Sequence, residues 1–152
     1  MKGKYGIEVY NSRVHYFLSV KRNITILNGN SGTGKTELIR LVGEYEENGA
    51  SSGITLRCDR KCRVLTSADW LLRLHSMKES IIFIDESAAF LPSREFAEAV
   101  KGSDNYFVIV TRDSLPSLAY SIEEIYGLRD SSRSRNQKAS NEMYRRVTHK
   151  NR

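Results

Sequence analysis

Residues 24–36, ITILNGNSGTGKT, join two patterns without a break. Ile24, Thr25, Ile26 and Leu27 are β-branched or apolar, the composition of a short buried strand. They run straight into a glycine-rich stretch. The following TELIRLVGEYEEN places Leu38, Leu41, Val42 and Tyr45 at helical spacing and ends in Asn48-Gly49, a helix C-cap signal. The order strand, glycine loop, helix decides how the remaining chain is read.

Gly29-Asn30-Ser31-Gly32-Thr33-Gly34-Lys35-Thr36 satisfies G-x-x-x-x-G-K-[ST]. Gly29, Gly32 and Gly34 let the backbone wrap close to a phosphate and turn successive N–H groups inward as an anion nest. The helix that follows points its positive end at the same place. Lys35 has the length to reach β- and γ-phosphates, and the hydroxyl of Thr36 is a ligand for Mg²⁺. Residues 29–36 are therefore the expected nucleotide-binding set.

Working outward, GIEVY and RVHYFLSV, separated by Asn11 and Ser12, predict an N-terminal antiparallel hairpin. ITLRC and CRVLTS flank Asp59-Arg60-Lys61 and predict a second hairpin bracketed by Cys58 and Cys62. Ser67-Ala68-Asp69 leads into a helix through WLLRLHSMKE, and a further helix runs from Ser93 through REFAEAVKG to Gly102. IIFID and NYFVIVTR are wholly apolar runs suited to buried parallel strands, and SIEEIYGLR predicts a last strand ending near Leu128. Strands alternating with helices predict an α/β fold with a mostly parallel sheet covered on both faces.

Residues 81–87, IIFIDES, end an apolar strand on two adjacent carboxylates, Asp85 and Glu86. With the phosphate loop, this stretch resembles the Walker B strand that accompanies the Walker A loop of P-loop nucleoside triphosphatases. The acid directly after the strand-end aspartate is similar to the ATPase division in which that second acid polarises the attacking water. The resemblance covers most of residues 1–128. It implies a three-layer P-loop fold, ATP or another nucleoside triphosphate with Mg²⁺ as ligands, Asp85 and Thr36 holding the metal, Glu86 orienting water and Lys35 neutralising phosphate charge. It further implies a γ-phosphate sensor at the tip of NYFVIVTR, Thr111, with Arg112 beside it, and an adenine-stacking aromatic on the N-terminal hairpin, Tyr10 or Tyr16. No LSGGQ-like signature segment is present, so transport and DNA-clamp functions are not implied.

The chain has 152 residues, with 24 Lys/Arg against 18 Asp/Glu. Residues 129–152 hold 8 of the bases and 2 of the acids, so 1–128 balance at 16 of each and the net +6 lies wholly in the C-terminal segment. That segment is rich in Ser and Asn and poor in aliphatics. It reads as a basic polar tail beyond an NTPase domain of residues 1–128, solvated or ordered by a nucleic acid or protein partner. Two cysteines and three histidines at no ligand-like spacing argue against a structural metal. No apolar run approaches bilayer length and no signal-peptide core opens the chain, so a soluble cytoplasmic protein is expected. Three functions fit the residues: a compact ATPase that hydrolyses Mg-ATP, alone or as an oligomer; a nucleotide-gated binding module with little turnover; and a small-molecule kinase.

Overall fold

The computed structural model describes residues 1–28, 34–130 and 139–146. Nine strands and three α-helices are present among them: β1 (Tyr5–Tyr10), β2 (Val14–Val20), β3 (Ile24–Leu27), α1 (Lys35–Asn48), β4 (Thr55–Arg57), β5 (Cys62–Val64), α2 (Trp70–His75), β6 (Ile81–Ile84), α3 (Arg94–Lys101), β7 (Tyr106–Val110), β8 (Ile125–Asp130) and β9 (Ala139–Arg145). All nine strands belong to one sheet, in the order β4-β1-β2-β9-β8-β3-β7-β6-β5.

The three short apolar runs lie side by side. β3 pairs in parallel with β7, and β7 with β6, every residue of the three being buried. β8 and β5 flank this trio, also in parallel. Beyond β8 the sheet becomes mixed: β9 runs antiparallel to β8 and parallel to β2, while β1 pairs antiparallel with both β2 and β4.

The sheet is curled, and chain connectivity requires it. β4 and β5 are the opposite edges, yet only residues 58–61 separate them. Eight strand spacings would set the edges of a flat sheet about 38 Å apart, whereas five residue steps span at most about 18 Å. The sheet therefore wraps around α1 as a half-barrel. Leu38, Leu41 and Val42 of α1 fill the concave side against Ile7, Val9, Val20, Phe83 and Val108. α2 and α3 cover the other face of the β3, β7 and β6 trio, where Trp70 stacks on Phe90 at 4.9 Å and Phe96 meets Phe107 edge-on at 5.9 Å.

This corrects the expected three-layer, mostly parallel P-loop architecture. The helices are only 14, 6 and 8 residues long, and the sheet is mixed. Strand outweighs helix: four residues join β4 to β5, and the described path from β7 to β8 contains only a 3-10 turn at Ile122–Glu124. The second expected hairpin is absent although its link has hairpin-loop length. β4 pairs with β1 and β5 with β6, so the two never meet in a ladder. Part of the segment read as a polar tail lies in the sheet as β9, with Asn141 buried and Met143 packed on the core.

Two helix ends follow the sequence signals, whereas α2 stops at His75, short of the expected WLLRLHSMKE, and its N-cap Asp69 makes no side-chain cap bond. Gly49 closes α1 at φ +58°, and the Ser93 side chain caps α3 by accepting from the Phe96 N–H at 3.0 Å. No helix among the described residues is long and apolar enough to cross a membrane.

Gly127 on β8 lies under the ring of Tyr144 on β9, and a Cβ there would sit 2.5 Å from Tyr144 Cζ. Gly127→Val is expected to destabilise the fold by about 1–3 kcal/mol through overpacking, measured as the urea midpoint. Tyr144→Ala in the same chain should recover part of that loss. A Gly127→Val chain as stable as wild type would contradict the placement of β9.

Candidate functional site

The carboxyl ends of β3, β7 and β6 converge on one edge of the sheet, because the three strands are parallel and in register. Asn28, just past β3, fastens that edge: its N–H donates to the Tyr126 carbonyl at 2.7 Å and its side-chain amide to the Thr111 carbonyl at 3.1 Å. Residues Gly29, Asn30, Ser31, Gly32 and Thr33 lie outside the described residues. The chain returns at Gly34, whose φ of +89° is left-handed backbone that a glycine adopts without strain.

Gly34 opens α1. Its carbonyl accepts the Leu38 N–H at 3.0 Å and the Tyr16 hydroxyl at 2.8 Å, so β2 is tied to the start of the helix. Burial, and secondarily the charge of Glu37, push the Tyr16 phenol up to about 12, and Tyr16 remains a neutral donor at any physiological pH. Tyr16→Phe is expected to cost about 1 kcal/mol of stability, the net worth of one neutral hydrogen bond. Equilibrium denaturation checks it, and a loss near zero would mean the phenol contributes no net bond here.

Lys35 is 6% exposed at the first position of α1. Burial holds its ammonium below the ordinary lysine range; the negative charge of Glu86 opposes that shift, and Arg112 and Arg146 add to it. Those four groups therefore share one electrostatic neighbourhood. Thr36 follows on the helix and is exposed.

Asp85, directly after β6, is half-buried and accepts the Ser87 hydroxyl at 2.9 Å, while its carbonyl takes the Ala88 N–H at 3.0 Å. Glu86 is exposed. Its carboxylate accepts the Arg112 N–H at 3.3 Å and lies 3.7 Å from Arg112 Nε. Thr111, 3% exposed, donates its own N–H to the Leu27 carbonyl at 3.1 Å; its hydroxyl is engaged by Asp113, donating to the carbonyl at 3.2 Å and accepting the N–H at 3.1 Å. Its hydroxyl thus shapes the turn after β7.

Of the sequence-derived site residues, Lys35 and Glu86 share this edge, with Asp85 and Thr111 closing the adjacent strands. The two aromatic candidates do not serve as expected. Tyr16 is 1% exposed and bonded to Gly34, and Tyr10 is stacked on His15 at 4.4 Å with the Arg57 guanidinium 5.8 Å from its ring centre. Sequence reading missed Asn28 and Arg146. Asn28 carried a signal, as the polar residue between the strand and the glycines. Arg146 reaches the site because β9 inserts beside β8 and the Arg146 N–H bonds the Ile125 carbonyl at 3.0 Å.

No cluster of three His, Cys, Asp or Glu able to hold a metal occurs among the described residues. One half-buried carboxylate, Asp85, and one exposed hydroxyl, Thr36, make a donor set suited to Mg²⁺ arriving on a nucleotide, since that ion keeps waters and phosphate oxygens and needs few protein ligands.

Comparison with models of protein families, with curated proteins and with solved structures finds no match to this chain. Together with the curled mixed sheet, this corrects the expected membership of the P-loop nucleoside triphosphatase superfamily and its water-polarising ATPase division. The glycine-loop and strand-acid motifs are short, and their resemblance does not extend to the fold as a whole.

Proposed function

We propose that the chain binds a nucleoside triphosphate, ATP being the reference ligand, as its Mg²⁺ complex at this sheet edge, and hydrolyses it slowly. The observation that carries the reading is the buried ammonium of Lys35 at a helix N-terminus, electrostatically coupled to Glu86, Arg112 and Arg146. Three cationic groups and a helix end favour a polyanion there, and one carboxylate among them gives the site a base.

Lys35 neutralises charge on the β- and γ-phosphates. Thr36 and Asp85 hold the Mg²⁺, which supplies further charge neutralisation. Glu86 orients the attacking water, the step that phosphoryl transfer to water requires beyond positioning. The cytoplasm, where disulfides are rare and those that form are transient or redox-sensing, is the compartment this reading calls for.

A second reading has its own support. The Glu86 carboxylate accepts the Arg112 N–H and lies beside its guanidinium, so part of its hydrogen-bonding capacity is committed within the chain. A nucleotide-gated binding module with little turnover fits that arrangement. Arg146, at the end of β9, would then pass nucleotide occupancy to a nucleic acid or protein held by the basic segment 129–152.

Equilibrium dialysis with Mg-ATP, followed by single-turnover phosphate release, tests both. Binding with release supports the ATPase, and binding without release supports the module. No binding at millimolar Mg-ATP removes both.

A further inference from the structure

The seam of the half-barrel carries a pair of thiols. Cys58 follows β4 and Cys62 begins β5, so the two cysteines bracket the only covalent link between opposite edges of the sheet. Four residue steps separate the thiols along the chain, and one cavity touches both. Both also engage the intervening Arg60: its N–H donates to Cys58 Sγ at 3.5 Å, and Cys62 donates to its carbonyl at 3.8 Å. Cys58 is half-buried, whereas Cys62 is 6% exposed. A cavity of about 370 Å³, lined by both cysteines and by Glu46, Asp59, Arg60 and Lys61, opens beside them.

We propose that Cys58 and Cys62 form a modification site: a dithiol that exchanges with low-molecular-weight disulfides of the glutathione class and closes into a Cys58–Cys62 disulfide across the seam. Three observations carry it. Both thiols engage Arg60 and line one cavity, Cys58 is the more accessible of the two, and the mixed-charge wall of Glu46, Asp59, Arg60 and Lys61 suits glutathione, which carries carboxylates and an ammonium.

The roles divide by environment. Cys58 is the more exposed thiol and accepts the Arg60 N–H; the neighbouring Cys62 thiol and that N–H outweigh burial and lower it to about 7, so it is the nucleophile. Cys62 is buried and donates to the Arg60 carbonyl; the neighbouring Cys58 and burial raise its thiol, so it keeps its proton and acts second. In the first step the Cys58 thiolate attacks one sulfur of the small disulfide, whose S–S bond breaks and releases one thiolate. In the second, Cys62 gives its proton to that thiolate and attacks Cys58 in the mixed disulfide, expelling the other thiolate, which takes a proton from water. Two cysteine thiols are oxidised to one disulfide and the small disulfide is reduced to two thiols.

The full chain is incubated with glutathione disulfide near neutral pH, quenched with acid and read by intact mass and peptide mapping. Wild type is expected to give the intramolecular disulfide with no lasting adduct. Cys62→Ser should accumulate glutathione on Cys58, and Cys58→Ser should react at least about tenfold more slowly. A wild-type chain that retains a stable adduct, or a Cys58→Ser chain that reacts as fast as wild type, overturns the proposal. A measurement on wild type alone guards against misfolded variants. The pH midpoint for Cys58 alkylation should lie near 7 in the folded chain and about 8.5 in urea; equal midpoints also overturn it.

Discussion

Lys35→Ala is expected to weaken Mg-ATP binding by roughly 10- to 100-fold. Lys35 is 6% exposed as a residue and sits at the first position of α1. A hydrogen bond to a charged group is worth about 1.5–3 kcal/mol, and phosphate oxygens are the natural acceptors for an ammonium held partly dehydrated at a helix N-terminus. Alanine removes the charge and keeps the helix propensity, so the loss should appear in affinity and not in helix content. Stability should hold or improve, because burial already disfavours this cation and alanine relieves that cost. Lys35→Arg should not restore affinity, since a planar guanidinium needs a wider space than a buried lysine leaves. Equilibrium dialysis with circular dichroism separates these effects. Unchanged affinity in a folded Lys35→Ala chain would remove Lys35 from the site.

The sequence disclosed the parts whose structure is local. ITIL, IIFI and YFVIV are wholly apolar and became the buried strands β3, β6 and β7; Gly49, Ser93 and Gly102 mark helix ends where the chain chemistry requires them. What stayed hidden is lateral. ASNEMYR has no aliphatic alternation, yet it is β9, because β2 and β8 satisfy its backbone from both sides and, among its described side chains, only Asn141 is deeply buried. Thr55–Arg57 and Cys62–Val64 look like hairpin arms around a polar turn. Each strand has only three residues, so the ladder it joins is set by which neighbour is present, β1 for one and β6 for the other. The curl of the sheet follows from those distant pairings, and no period of 2 or 3.6 encodes it.

The same division holds at the site. Lys35, Asp85 and Glu86 were legible because each sits at a strand or helix end named by its immediate neighbours. Arg146 was not. Its charge reaches Lys35 only after β9 has inserted beside β8, an event some hundred residues away along the chain. Thr111 was legible as a strand tip, but its hydroxyl is taken by Asp113, a detail of turn geometry below the resolution of sequence pattern.

Glu86→Gln is expected to leave Mg-ATP affinity within about threefold of wild type at neutral pH while lowering single-turnover phosphate release by roughly 10²- to 10⁴-fold, the range for losing a general base. Glutamine preserves the shape and the ability to accept the Arg112 N–H, now at 3.3 Å from the carboxylate, but it cannot take a proton from water. Stability should change by less than about 1 kcal/mol, because the Glu86–Arg112 pair is exposed and such pairs contribute little. The substitution also has a pH signature. Glu86 is the charge that partly offsets the depression of Lys35, so neutralising it lets burial, Arg112 and Arg146 lower the Lys35 proton affinity further. The alkaline limb of Mg-ATP binding should therefore move to lower pH in Glu86→Gln, a shift that reports the Glu86 charge beside Lys35 separately from its part in hydrolysis. Phosphate release that persists in the variant would take Glu86 out of the chemistry. An unmoved alkaline limb would show that Lys35 and Glu86 do not act on the same bound anion.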